Sequence, residues 1–354
     1  MDTDLLAREF RSDVAYLNTA SHGLMPARCV TRVQEAVARM ATGDIDMPAY
    51  FAVNDGLRAA FARVTGTTAD RVALGNAVSV HVGLVAAGLP AGSEVLVAEG
   101  EFSSVVNPFA VRDDLRVRQA PLEKLAEAVD GDTALVAVAA VQSADGRVAD
   151  LAAIREATRA VGARLLVDMT QAVWWLPLPV DSYDYVVCAG YKWLLCPRGT
   201  SFLVVSRETQ EAGALVPLHA GWSAGEDPWA SCYGPVERLA PGARRYEESV
   251  SFLPYLGAAA SLGLVEELGA DAVRAHDLGL ADRFRAGVER LGHRPVPGES
   301  AIVAVPGLGR ATEALAGAGI RVSQREGNLR VSFHLYNTEA QVDRALDVLE
   351  GVRG

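Results

Sequence analysis

The chain is predicted to be an α/β protein, with a mainly parallel sheet flanked by helices and a smaller α/β unit at the C-terminal end. Three observations predict it. Short apolar runs alternate with longer helical patterns along most of the chain. Those runs are continuously hydrophobic rather than alternating, which is the pattern of strands buried on both faces. The length, 354 residues, exceeds what one simple core fills, so two packed units are expected.

The strands expected in the large unit are Glu94–Val97, Ala134–Val138, Arg164–Val167, Tyr185–Cys188 and Ser201–Val205. A helix is expected over Asp150–Val161, with Asp150 at the cap and Gly162 just past the end. Residues 213–245 are rich in Gly, Pro and Trp without a period, and read as long ordered loops at an active-site edge. A helix over Pro254–Gly269 leads into the smaller unit. There Ala301–Val305 and Leu329–Phe333 read as strands, and a closing helix starts from Thr338 as N-cap, with Glu339 in its first turn. The expected division is a large domain over residues 15–255 and a small one over 256–354 together with 1–14.

Composition narrows the function. A net charge of −11 argues against nucleic acid as a partner, since such binders need a basic face. No apolar run is long enough to span a bilayer, and the start Met1-Asp2-Thr3-Asp4 does not look like a signal peptide. Cys29, Cys188, Cys196 and Cys232 are scattered without metal-ligand spacing. They read as free thiols in a reducing cytoplasm, and no metal is expected.

The chemistry is concentrated in Asp168-Met169-Thr170-Gln171 and Ala189-Gly190-Tyr191-Lys192-Trp193, each following an apolar strand. A carboxylate and a lysine delivered at the ends of neighbouring strands suit pyridoxal 5′-phosphate (PLP): the lysine holds the cofactor and the acid pairs with its ring nitrogen. Taken alone, Asp168 reads equally as a helix cap or ion-pair partner, and Lys192 as a solvated surface residue.

Six motifs in order resemble the aminotransferase class V superfamily, which includes cysteine desulfurases, kynureninase and isopenicillin N epimerase-like proteins. They are Tyr16–Gly23, Asn76–Ser79, Glu101–Ser104, Asp168 with Gln171, Gly190–Trp193 and Arg330–Thr338. The resemblance implies PLP fold type I, with a seven-stranded sheet in the large domain, and a homodimer with sites at the interface. It implies an enzyme acting on an amino acid. Lys192 then binds PLP and moves protons at the substrate α-carbon, Asp168 meets the ring nitrogen, and Gln171 the ring hydroxyl. Phe102 stacks on the ring where relatives often carry His. Asn76, Ala77 and Val78 offer backbone N–H groups to the phosphate, aided by the Tyr191 hydroxyl. Val78 and Ala189 depart from hydroxyl residues common in relatives. Arg330 takes the α-carboxylate through its guanidinium fork, with Arg325 in support, and His22, Trp222 and Tyr233 line the substrate space.

The loop Arg321–Asn328 holds no cysteine, so persulfide transfer of the desulfurase kind is not expected. The reading that follows is a lyase eliminating a β-substituent, with C–S cleavage, from a modified amino acid such as an S-substituted cysteine. The high Ala, Gly and Arg content points to a GC-rich bacterial genome, and similar enzymes of such genomes often tailor secondary metabolites, so secondary metabolism is the expected setting by association. Aminotransferase, epimerase and decarboxylating reactions remain open alternatives, and a non-catalytic binding protein a remote one.

Overall fold

The computed structural model describes residues 2–249 and 251–351. Met1, Val250 and residues 352–354, with the outermost ends of the expected domain ranges, lie outside the described residues. Twelve strands occur among the described residues: β1 (Ala15–Tyr16), β2 (Val72–Gly75), β3 (Glu94–Ala98), β4 (Arg116–Ala120), β5 (Thr133–Ala139), β6 (Arg164–Asp168), β7 (Tyr185–Ala189), β8 (Ser201–Val205), β9 (Ile302–Val305), β10 (Ile320–Arg321), β11 (Ser323–Arg325) and β12 (Asn328–Ser332).

Seven of them form the central sheet in the order β2-β8-β7-β6-β5-β3-β4. Only β8 runs against its neighbours. The five expected strands are all present, extended by at most a residue at either end. The chain works outward from β3 to β4 and then returns to the other side of β3 for β5. That reversal leaves a crevice beyond the C-terminal ends of β3 and β5, where open α/β sheets bind ligands. The register brings Ala139, Asp168 and Val187 level across β5, β6 and β7, so the ends of these strands share one edge.

The apolar runs split their side chains between two cores with a period of two. Leu96, Val136, Val138, Leu165, Val167 and Val186 pack on one face. Val95, Val97, Leu135, Ala137, Leu166 and Val187 pack on the other. The helix Leu151–Val161 is capped by Asp150, whose side chain accepts the Ala153 N–H at 3.0 Å, and ends at Gly162 with φ 75°. The helix Phe252–Leu268 is followed by Gly269 and packs on the first of these cores through Tyr255, Ala258, Leu262 and Val265. The stretch 213–245 forms loops carrying short 3-10 turns, including Trp222–Ala224 and Trp229–Ser231.

A third core joins β9, β11 and β12 to the helices Ala270–Arg290 and Glu339–Gly351 through Phe284, Val303, Val331, Phe333 and Leu346. Ala15 and Leu17 belong to this core, because β1 pairs in parallel with β10. Thr338 Oγ1 accepts the Gln341 N–H at 3.3 Å while Gln341 Oε1 accepts the Thr338 N–H at 3.3 Å, a reciprocal capping box at the last helix. Among the described residues no helix is long and apolar enough to cross a membrane.

Candidate active site

Each strand end contributes one part of a cavity of about 190 Å3 at the C-terminal edge of the sheet. After β2 come Asn76, Ala77, Val78 and Ser79; after β3, Phe102 and Ser104; at and beyond the end of β5, Ala139, Val141 and Ser143. Asp168, Thr170 and Gln171 follow from β6, and Ala189, Tyr191, Lys192 and Arg198 from β7.

Lys192 is buried, and among the described residues no side chain or carbonyl hydrogen-bonds its amine. Burial lowers its pKa to about 8; Asp168 opposes the shift, and Arg330 and Arg325 add to it. Its Nζ lies 5.4 Å from the centre of the Phe102 ring and 6.0 Å from that of Tyr191. Asp168 is buried as well and accepts the Thr170 N–H at 2.8 Å. Burial raises its pKa, against the pull of Thr170 and Lys192. A cation brought against this carboxylate would restore its ionised form.

Gln171 is held on three sides. Its amide donates to the Ala20 carbonyl at 2.9 Å and to Ser143 Oγ at 3.0 Å, and its carbonyl accepts the Trp193 indole N–H at 2.9 Å. The loop after Lys192 is tied in turn to the C-terminal unit: His334 Nε2 meets the Trp193 carbonyl at 2.9 Å while Nδ1 faces buried Asp277 at 2.9 Å. Gly23 touches the same loop, its N–H donating to the Tyr191 carbonyl at 2.9 Å.

The helix Val78–Gly88 starts at Ala77 without any side-chain cap. Its first N–H groups therefore lack a side-chain acceptor and line the cavity. Asn76 Oδ1 is buried without a partner, and the Asn76 amide donates to Glu248 at 2.8 Å. The Asn76 N–H is already taken by Glu248, at 3.2 Å, so the uncapped N–H groups of Ala77, Val78 and Ser79 are the ones that fit a phosphate group. Under it, His81 is buried with its pKa lowered to about 4 by burial, so the imidazole is neutral; its Nε2 meets Ser201 Oγ at 3.0 Å.

Arg330 is buried beyond Ser143. Its guanidinium donates to Ser323 Oγ at 3.0 Å, to the Ser143 carbonyl, and to Ser21 Oγ at 2.7 Å. Every partner is a neutral oxygen. Burial, then the neighbouring Arg325, lower its pKa to about 9. Arg325 is exposed and also reaches Ser21 Oγ, at 3.1 Å. His22 is half-buried, with its ring centre 5.5 Å from that of Tyr191.

Trp222 and Tyr233 are not at this cavity. Trp222 packs against Phe51 and Trp229, with ring centres 5.4 and 5.6 Å away, and Tyr233 is 94 % exposed. Four contributors were missed in the sequence. Ser143 and Arg198 sit in loops with no motif of their own, and Ser21 lies in the Tyr16–Gly23 motif without a role given to it. Glu101, in a motif, orders the β3 and β5 ends by accepting N–H groups of Phe102 and Ala139, each at 2.8 Å. Arg198 stacks on Tyr191, 4.7 Å from its ring centre, and puts a cation on the wall that Ala189 leaves without a hydroxyl.

A parallel-sheet edge that presents a buried acid, a desolvated lysine and an uncapped helix start around one cavity defines a PLP-dependent enzyme. The chain belongs to the aminotransferase class-V family, whose model matches residues 76–306. It is 29% identical to isopenicillin N epimerase of Streptomyces clavuligerus, over 96% of this chain and 95% of that protein. It is 28% identical to the uncharacterized aminotransferase YcbU of Bacillus subtilis, over 81% and 80%. Its fold matches that of the apo cysteine desulfurase from Thermococcus onnurineus NA1 with a TM-score of 0.85 at 19% identity, over 99% and 98% of the two chains. PLP is its cofactor.

Proposed function

We propose that the protein is a lyase that eliminates the β-substituent of a modified amino acid, with an S-substituted cysteine as the substrate class. The observation that carries the reading is the free, desolvated Lys192 amine in a cavity that no cysteine lines. A base is present at the reacting carbon, and a thiol to accept sulfur is absent from the cavity wall.

When bound, PLP supplies the electron sink that makes the substrate α-proton removable. The helix start at Ala77–Ser79 would hold its phosphate, Phe102 would cover its ring, and Asp168 would pair with its ring nitrogen. Arg330 orients the α-carboxylate, and so turns the Cα–H bond toward Lys192. The lysine is neutral at mildly alkaline pH because burial has lowered its pKa, and it takes that proton. Loss of that proton and of the β-thiolate, with uptake of one water, would convert the substrate into a thiol, a 2-oxo acid and ammonia. Gln171 contributes by orientation, since it braces Ser143 and Trp193 on either side of the cavity.

The reading also takes the protein to be a cytoplasmic homodimer in secondary metabolism. Exposed Trp229 and Tyr233 are the surface it gives to the second copy, and sedimentation of the holoprotein tests this. The names of the relatives favour transamination or epimerisation as the second reading.

The test begins with the absorption spectrum of the PLP-loaded protein. A visible band that borohydride abolishes, and that Lys192→Ala lacks, is expected. Cysteine conjugates should then release thiol and 2-oxo acid without an amino acceptor. Strict dependence on a 2-oxo acid would move the assignment to an aminotransferase, and solvent-labelled, inverted amino acid to an epimerase. Full biological activity of Lys192→Ala would make it a binding protein.

A further inference from the structure

Two arginines converge on one neutral oxygen beside Ser143, which lines the cavity. Ser21 Oγ accepts a hydrogen from Arg330 at 2.7 Å and another from Arg325 at 3.1 Å, and spends its own hydrogen on Asn18 Oδ1 at 2.8 Å. The remaining partners of both guanidiniums are neutral too: Ser323 and Ser143 for Arg330, and the Gln324 carbonyl, at 2.7 Å, for Arg325. Among the described residues neither makes an ion pair, although the chain carries 44 acidic residues. Several other arginines are each given two acids. Arg58 has Glu247 and Asp55, Arg118 has Glu94 and Asp130, and Arg147 has Glu123 and Asp145.

The hairpin builds this pairing deliberately close. Ser323 of β11 is level with Arg330 of β12, and Arg325 lies two residues further along the same strand, on the same face. The two arginines are therefore diagonal cross-strand neighbours, an arrangement that costs stability between like charges. Glu326 and Gly327, both at positive φ (48° and 83°), close the turn and set Arg325 at its tip. Arg330 is buried and reaches the cavity wall through the Ser143 carbonyl, Arg325 is exposed, and the charges of both act on Lys192.

One α-carboxylate satisfies one guanidinium fork, so the second fork is left for a second anion. We infer that Arg330 and Arg325 form a receptor for two acidic groups, and that the substrate is a short amino acid whose side chain also ends in an oxyanion. This rests on the reading of the cavity as an amino-acid site. Because both forks meet at a single hydroxyl, the two acid groups lie close together, which fits a side chain about as long as that of glutamate or a carboxymethylated cysteine.

The test is titration calorimetry on the PLP-loaded enzyme with matched ligands: L-glutamate against L-norvaline, and S-carboxymethyl-L-cysteine against S-propyl-L-cysteine. The acidic member of each pair should bind at least tenfold more tightly. Arg325→Gln should abolish that preference by weakening the acidic members at least tenfold more than the neutral ones, and Arg325→Lys should restore part of it. Equal binding of both members by wild type would overturn the inference, as would an Arg325→Gln variant that weakens both members alike, since Arg325 would then serve the α-carboxylate or the hairpin. The two readings fail separately. A missing Lys192 cofactor band with the acidic preference retained removes the enzyme assignment alone. A normal band without the preference removes the two-anion receptor alone.

Discussion

Gly23 shows how closely single residues constrain the site. A Cβ at this position would stand 2.0 Å from the Lys192 carbonyl oxygen, which is backbone and cannot swing aside. Gly23→Ala is therefore expected to displace the lysine. A misplacement of about 1 Å costs roughly a hundredfold in rate, so kcat should fall by about that factor in steady-state kinetics while the protein stays folded by circular dichroism. Asp168 and Lys192 were legible because one ends and the other closely follows an apolar strand, whereas Arg330, inside β12, was reached only through the family resemblance. The family resemblance and an aromatic-rich loop put Trp222 and Tyr233 at the substrate, yet neither lines the cavity of its own chain. Aromatic content marks a stretch as ordered without saying where it folds.

Among the elements, the central strands were readable because burial on both faces demands continuous apolar runs. The edge strand β4 was not, because Arg116, Arg118 and Gln119 are tolerated where one side of a strand meets solvent. β2 escaped for a different reason: four residues are too few to show a period. Its end is secured by buried groups from distant helices. Glu247 accepts the Leu74 N–H at 2.8 Å and pairs with Arg58 through two bonds of 2.7 Å, and the Tyr255 hydroxyl accepts the Gly75 N–H at 2.9 Å. Arg58→Met would strand the Glu247 carboxylate in the core. A loss of about 3–5 kcal/mol is expected, measured as a lower urea midpoint, with the double variant Arg58→Met, Glu247→Gln recovering part of it.

For the whole molecule, the cost of burying Lys192 is set against folding until the cofactor takes up its amine. The lysine pKa is about 8 in the fold, against an ordinary 10.5. Below pH 8 the amine is charged in both states and the penalty is complete. Between 8 and 10.5 the folded protein has released the proton and the unfolded chain has not, so this contribution to stability improves with rising pH. Cofactor-free Lys192→Met should then exceed cofactor-free wild type in stability at pH 7 by on the order of 3 kcal/mol. The gap should close toward pH 10.5 in denaturant titrations run as a pH series. A gap that stays constant with pH would show that the amine is solvated. The same scale accounts for His334 and Arg330, which reach from the C-terminal unit to the Trp193 and Ser143 carbonyls and hold the two units across the cavity.

Periodicity and strand-end chemistry in the sequence alone determined the α/β class, where the buried strands lie along the chain, and the acid and lysine at strand ends. These follow from local rules: a strand buried on both faces must be apolar, and a charge at its end must have a purpose. Only the tertiary structure decided that the first residues pair with β10, that Ser143 and Ser21 bridge the site to Arg330, and that Arg325 shares an oxygen with it. Such contacts join residues up to 309 positions apart. They depend on the crossover of the sheet and the turn of a hairpin, and no local pattern of residues records which loop a polar side chain will finally meet.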